Sequence, residues 1–404
     1  MLKRAMLVIG VGFCWLLNTA SFVGYLFLRR QMEAAESNSN LLRFQIIRPY
    51  RTEMDDSGKV VVGSEADELQ LMSRLFAAAT EYGNARVVVV TNQGDPGLLK
   101  IQKLAAPYKN VQVVEAPAMP PGTASGQMFN HQVGWGVIEP TALEEDILLT
   151  CDCDSDLTAR LLRQIAQAYT DERVGGVGTF PLYKAAVDLA ATPLTMVFNP
   201  GMGFLALDAV IRGYSLLPGN LLSSRVSVFR SFGGWDSYSR EQQMVDDVAT
   251  SNKVLASGKQ LRQVGWIAVY NRYAAWQSWW SRWTRMMTML RRTAPDKYLL
   301  SILPGYGGQL LTTALFLYGA KRRRSWLVLP FVANWGLNIL YGGLSGAWRD
   351  GLLSPLTALL NMTGWLYALV FRPRQVSWRG LIFDFDTKDA KQDASASKQI
   401  PAQD

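Results

Sequence analysis

Between Ala5 and Leu28 the chain carries no charged residue, and Lys3-Arg4 and Arg29-Arg30 bracket the stretch. Inside a bilayer the backbone must satisfy its own polar groups, so a single segment near the roughly 20 residues a spanning helix needs has one stable conformation there, the helix. We read residues 1–30 as a membrane anchor; a cleaved signal peptide would carry a shorter apolar core. Three further apolar segments occur near the other end, Leu299 to Ala320, Trp326 to Ser345 and Leu352 to Phe371, and set a C-terminal membrane region over 299–372. If all three crossed, Lys321-Arg322-Arg323-Arg324 would lie outside, against the positive-inside rule. Pro304, Gly305, Gly307 and Gly308 therefore suggest that the first is a broken or re-entrant hairpin. Residues 373–404 form a cytoplasmic return segment and a tail; from Asp386 to Asp404 there is no aromatic residue, and disorder is expected.

Residues 41–275 are long enough for one substantial globular domain. Phe44-Gln45-Ile46-Ile47-Arg48-Pro49 reads as a strand ended by proline, and Ser64 opens a helix with apolar positions at Leu69, Leu71, Met72 and Leu75 that runs to Tyr82. A strand Arg86 to Thr91, a helix from about Pro96 to Tyr108, a strand Val111 to Glu115, a Gly/Pro/Ser loop from Pro117 to Gly126 and a strand Asp146 to Thr150 follow. Alternating strands and helices imply βαβ units: an α/β fold with a Rossmann-like, mostly parallel sheet whose ligands sit at the C-terminal strand ends. Asp95 falls on that edge, and so do Asp152, Asp154 and Asp156, three acids within five residues. Such carboxylates repel one another unless a hard cation or a hydrogen-bond network holds them, and Mg2+ or Mn2+ is the usual ion. The bland alternative is an acidic turn closing a strand.

The formal charge of +8 does not indicate nucleic acid, because the basic residues bunch beside apolar segments; membrane headgroups fit better. Three cysteines exclude a disulfide framework and favour a reducing compartment, and with His131 as the single histidine, zinc lacks ligands. A second acidic pair, Asp246-Asp247, follows the turn Gly233-Gly234-Trp235-Asp236 and the Ser239/Gln242 capping box, which puts it about two turns into a helix. Adjacent acids there diverge by about 100°, so one can face a cleft; a solvated face is the plain reading. Over 276–298, Trp276, Trp279, Trp280, Trp283, Met287 and Leu290 share one side of a helix, with Arg285 and Arg292 opposite and Arg282 at the border. That is the pattern of an amphipathic helix in a membrane interface, from which a border arginine can also reach a phosphate.

Taken in order, Asp95, Asp154-Ser155-Asp156, Asp247 and Arg282-Trp283 resemble the D, D, D, Q/R-x-x-R-W series of inverting glycosyltransferases with a GT-A fold. With Trp378-Arg379-Gly380 behind the last apolar segment, the chain is most similar to the ceramide glucosyltransferase family, including its bacterial hopanoid and ceramide relatives, over about Phe44 to Phe383. The resemblance implies that 41–275 is a GT-A catalytic domain; since nucleotide sugars and reduced cysteines belong to the cytoplasm, the domain is expected to face it. It implies that Asp95 contacts the nucleotide side of the donor, that Asp154 and Asp156 hold the ribose and a Mg2+- or Mn2+-bound diphosphate, that Asp247 is the general base, and that Arg282 and Trp283 hold diphosphate and acceptor. The implied reaction moves a hexose, glucose by analogy, from a UDP-sugar to a ceramide- or hopanoid-like lipid. Three positions depart from the family: Trp279 where Gln or Arg is expected, Asn130 where Lys is expected, and an unusual loop from Glu53 to Gly63. A processive polysaccharide synthase of the same fold is the rival, with too few spanning helices for a polymer channel; a catalytically silent membrane scaffold is the other.

Overall fold

The computed structural model describes residues 42–52, 64–120, 126–184, 217–240, 246–270, 276–293, 308–371, 375–378 and 381–384, with scattered residues of 12–26, 189–199 and 298–299. The expected anchor, the loop 53–63 and the tail thus lie largely outside the described residues.

Along the chain run β1 (Phe44–Tyr50), α1 (Ser64–Tyr82), β2 (Ala85–Thr91), α2 (Leu98–Ala105), β3 (Val111–Glu115), α3 (Gly126–Ile138), β4 (Ile147–Cys151), β5 (Ser155–Asp156), α4 (Ala159–Ala168), β6 (Val174–Tyr183), β7 (Leu221–Arg225), α5 (Val226–Ser231), α6 (Gly234–Arg240), α7 (Asp246–Ala256) and β8 (Gln260–Val269). The strands form one eight-stranded sheet, ordered β3-β2-β1-β4-β7-β6-β8-β5. β7 is antiparallel to both neighbours and β5 is antiparallel to β8; every other strand runs one way, as the mostly parallel expectation holds.

Strand side chains alternate between faces, and the sequence uses that period to build two cores. Phe44 and Ile46 of β1 with Val87 and Val89 of β2 join Met72, Phe76 and Leu162 on one face, under α1 and α4. Ile47, Val88 and Val90 meet Met128, Trp135 and Phe229 on the other, under α3 and α5. α3 was not foreseen: its segment carries no apolar stripe because it is covered on several sides. It lies close to the sheet because Gly134 has no side chain; a Cβ there would sit 2.6 Å from Ile47 Cγ2.

C-terminal to the sheet come α8 (Trp276–Thr293), α9 (Gly308–Lys321), α10 (Leu329–Ser345), α11 (Trp348–Leu352), α12 (Ser354–Val370) and a hairpin of β9 (Gln375–Trp378) and β10 (Leu381–Asp384). With the 3-10 turn before it, α10 belongs to one 21-residue helix, Ser325–Ser345, of mean hydropathy 1.4, long and apolar enough to cross a membrane by length and composition. No other helix among the described residues meets that standard, so of the three expected C-terminal crossings one has that support. α9, with 14 residues, rises only about 21 Å.

These helices are built inside out. Their buried faces are rich in polar residues, Gln309 and Thr312 on α9, Asn334, Asn338 and Ser345 on α10, and Ser354, Thr357 and Asn361 on α12, beside the larger Leu315, Tyr341 and Trp365. Leu317, Leu329, Leu340, Leu356, Leu359 and Val370 point outward. Asn334 and Asn338 both donate to Gln309 Oε1, at 2.7 and 3.0 Å. In water such a surface is costly; in a lipid environment it is the ordinary arrangement. Asn199 Nδ2 to Ser345 Oγ (3.0 Å) and Thr192 Oγ1 to Asp350 Oδ1 (3.0 Å) tie the bundle to the segment that follows β6.

Candidate active site

A cleft of about 590 Å³ opens beyond the C-terminal ends of β1, β2 and β4. Asp152 and Asp154 stand in its wall beside Asn92, Asn130, Arg282 and Arg285. The arrangement follows from strand direction: β1, β2 and β4 are parallel, so the segments leaving them converge at one edge. α8 then brings its arginines to that edge from the membrane-like bundle.

The carboxylate loop is held from beneath. Arg48, on β1 and fully buried, donates to the carbonyls of Cys153 (2.7 Å) and Ser155 (3.0 Å), the two residues flanking Asp154, and reaches Cys151 Sγ at 3.5 Å. Burial pushes the Cys151 thiol up to about 12, against the pull of Arg48, so it stays a thiol. The Asp152 N–H donates to the Asn220 carbonyl at 3.1 Å, and Gln127 Nε2 donates to Asp152 Oδ1 at 2.8 Å. A buried cation supporting a loop that carries carboxylates compensates their repulsion where water cannot.

The residues expected from sequence fall into three groups. Asp154 and Arg282 meet in the cleft, joined by Asp152, whose role the sequence left open. Asp247 is half-buried near the turn that precedes β7; a Cβ on Gly219 would lie 3.5 Å from its Oδ2, and the next residue, Asn220, is the one holding Asp152. It is the second residue of α7 as described, residues 241–245 lying outside the described residues. Asp95, Asp156 and Trp283 are occupied elsewhere. Both Asp95 oxygens accept from Thr52, the hydroxyl at 2.6 Å and the N–H at 2.9 Å, and Oδ1 also takes the Gly97 N–H at 2.8 Å. This ties the segment after β1 to the turn between β2 and α2, where Gly97 is required because a Cβ would lie 2.6 Å from Thr52 Oγ1. Asp156 pairs with Arg74 of α1 at 2.8 Å, an interaction that raises the Arg74 pKa. Trp283 is buried between α8 and α12, its indole N–H donating to the Asn361 carbonyl at 2.8 Å.

The residues matched by the model of Glycosyl transferase family 21, 78–390, take in both the carboxylate loop and the arginine helix. The chain belongs to that family. It is a glycosyltransferase. No curated protein matches it. Among solved structures it is similar to a mannosyltransferase from Pyrobaculum calidifontis in complex with GDP-Man and Mn2+, at 14% identity over 88% of this chain and 99% of that one, TM-score 0.41. It is also similar to a cytidylyltransferase from Leptospira borgpetersenii serovar Hardjo-bovis (strain JB197), at 12% identity over 55% of this chain and 76% of that one, TM-score 0.32.

In this glycosyltransferase, sequence reasoning passed over Arg48 and Arg285. A lone charge inside the apolar run of β1 was the available signal for Arg48. Arg285 was assigned to the outer face of its helix because the wheel gives directions but not which direction holds the cleft. Asn130, at the departure from the family's Lys, lines the cleft and donates from Nδ2 to Asn92 Oδ1 at 2.9 Å, while its buried Oδ1 accepts nothing from the described residues.

Proposed function

We propose that this family 21 enzyme transfers a hexose, glucose by analogy, from a UDP-sugar to the hydroxyl of a ceramide- or hopanoid-like membrane lipid by one inverting displacement. One observation carries the reading: α8 lines the carboxylate-bearing cleft with Arg282 while packing Trp279, Trp283 and Met287 against α12, whose far side exposes leucines. A water-soluble donor and an acceptor held in a bilayer need such a boundary.

Within the cleft, Arg282 supplies fixed positive charge to the departing diphosphate, in a site partly screened from water where such charge acts strongly. Asp247 would take the proton of the attacking hydroxyl, a contribution of roughly 10²- to 10⁴-fold. Attack opposite the leaving group with one base gives inversion. Asp152 and Asp154 are hard oxygen donors suited to Mg2+ or Mn2+. Among the described residues no three acidic, His or Cys side chains form a metal site by themselves, so diphosphate oxygens would complete the shell. The ion would add Lewis-acid stabilisation of the leaving group. Asp156, the other expected ligand, would first have to leave Arg74. The membrane setting is supported by the inside-out bundle, and the cytoplasmic side by the place of nucleotide sugars and reduced cysteines.

The test is the full-length protein in lipid nanodiscs with MnCl2, labelled UDP-glucose and ceramide. A labelled glycolipid of inverted anomeric configuration is expected; polymer, or free glucose as the product at every acceptor concentration, would overturn the lipid-transfer reading.

A further inference from the structure

We infer that Arg285 is a second phosphate-binding residue, forming with Arg282 a two-guanidinium clamp on the donor's diphosphate. This rests on the reading of the cleft as a nucleotide-sugar site and goes beyond it by naming a specificity residue for the diphosphate. Three observations meet here. Both arginines line the cleft that holds Asp152 and Asp154. They stand three residues apart on α8, about 60° apart in projection and about 4.5 Å along the axis, so both forks can reach adjacent phosphates. The rotation of α8 is fixed, because Trp279, Trp283 and Met287 are buried against Tyr298, Ala358 and Trp365 and the Trp283 N–H is bonded to Asn361.

Charge supports a dianionic ligand over a neutral one. Among the described residues, the cleft wall carries Arg51, Arg282 and Arg285 against Asp152 and Asp154, an excess that a divalent ion on the aspartates would increase. An arginine serving only as an interfacial anchor has no reason to line a concave wall beside carboxylates. A guanidinium fork matches phosphate oxygens in pairs, and one fork on each phosphate distinguishes a diphosphate from a monophosphate.

The experiment is equilibrium binding of UDP and of UMP, each with MnCl2, to the full-length protein in nanodiscs, for wild type, Arg285→Ala and Arg285→Lys. Arg285→Ala should weaken UDP roughly ten- to hundred-fold, the effect of losing a hydrogen bond to a charged group, and leave UMP unchanged. Arg285→Lys, keeping the charge without the fork, should recover part of the loss. If wild type binds UDP and Arg285→Ala retains the same preference over UMP, the clamp is wrong while the reading of the cleft stands. If wild type binds neither UDP nor UMP, the nucleotide-sugar reading itself fails.

Discussion

Gly364 sits where α12 meets Trp283, and replacing it with alanine should damage catalysis more than stability. A Cβ at this position would lie 2.1 Å from Trp283 Cδ1 and 2.7 Å from its Nε1. Ordinary carbon contacts are about 3.5 Å, so the two helices must separate by about 1.4 Å or the indole must move. The indole is 1% exposed and its N–H is held by Asn361, so the strain falls on the helix seam. Overpacking of this kind costs about 1–3 kcal/mol, of which the better helix propensity of alanine returns up to about 1. Because α8 carries Arg282 into the cleft on its other side, a shift of this size should lower turnover by about a hundredfold. Denaturant unfolding in detergent and initial rates in nanodiscs would be compared with Gly336→Ala, a control on α10 where a Cβ meets nothing within 4 Å. Unchanged turnover in a folded Gly364→Ala protein would refute the claim that this seam positions the arginines.

Further outcomes follow from the same geometry. Asp247→Asn should cut kcat by about 10²- to 10⁴-fold while changing UDP affinity little, read from steady-state rates and nucleotide binding. Asp152→Asn and Asp154→Asn should each raise the MnCl2 concentration needed for half-maximal rate by more than tenfold, and Asp156→Asn should match Arg74→Ala instead; order-of-magnitude ranking by metal titration checks this. His131 is buried against Trp235, and burial lowers its pKa to about 3. Since the unfolded ring titrates near 6.5, its neutral form contributes stability above that pH that is lost as pH falls toward 3, about 1.4 kcal/mol per unit and about 2 by pH 5. His131→Phe should flatten the stability profile between pH 6.5 and 5 in denaturant titrations, and the assignment is clean because the chain has one histidine.

The N-terminal half of the sheet was legible because its strands are short apolar runs between turn residues, and β1, β2, β3 and β4 start and end within a residue or so of expectation. β7 was not, since Leu221-Leu222-Ser223-Ser224-Arg225 has neither alternation nor a β-branched run; pairing on both sides makes it a strand. The order of the acidic motifs gave the enzyme class. Which carboxylates share the cleft was hidden, because alternating positions in Asp152-Cys153-Asp154-Ser155-Asp156 can point the same way until Ser155 and Asp156 enter β5 and pair with β8, where Asp156 meets Arg74. Polar residues in the C-terminal apolar segments form the buried seams, which only helix packing reveals.

In the proposed mechanism the carboxylate loop and the arginine helix close on one diphosphate. An experimental structure of the full-length enzyme with UDP and Mn2+ tests it most directly. The diphosphate and the ion should lie between Asp152, Asp154 and Arg282, with Asp247 facing the open side of the β-phosphate. Nucleotide bound away from Asp154, or bound there with Arg282 turned out of the cleft, would contradict it.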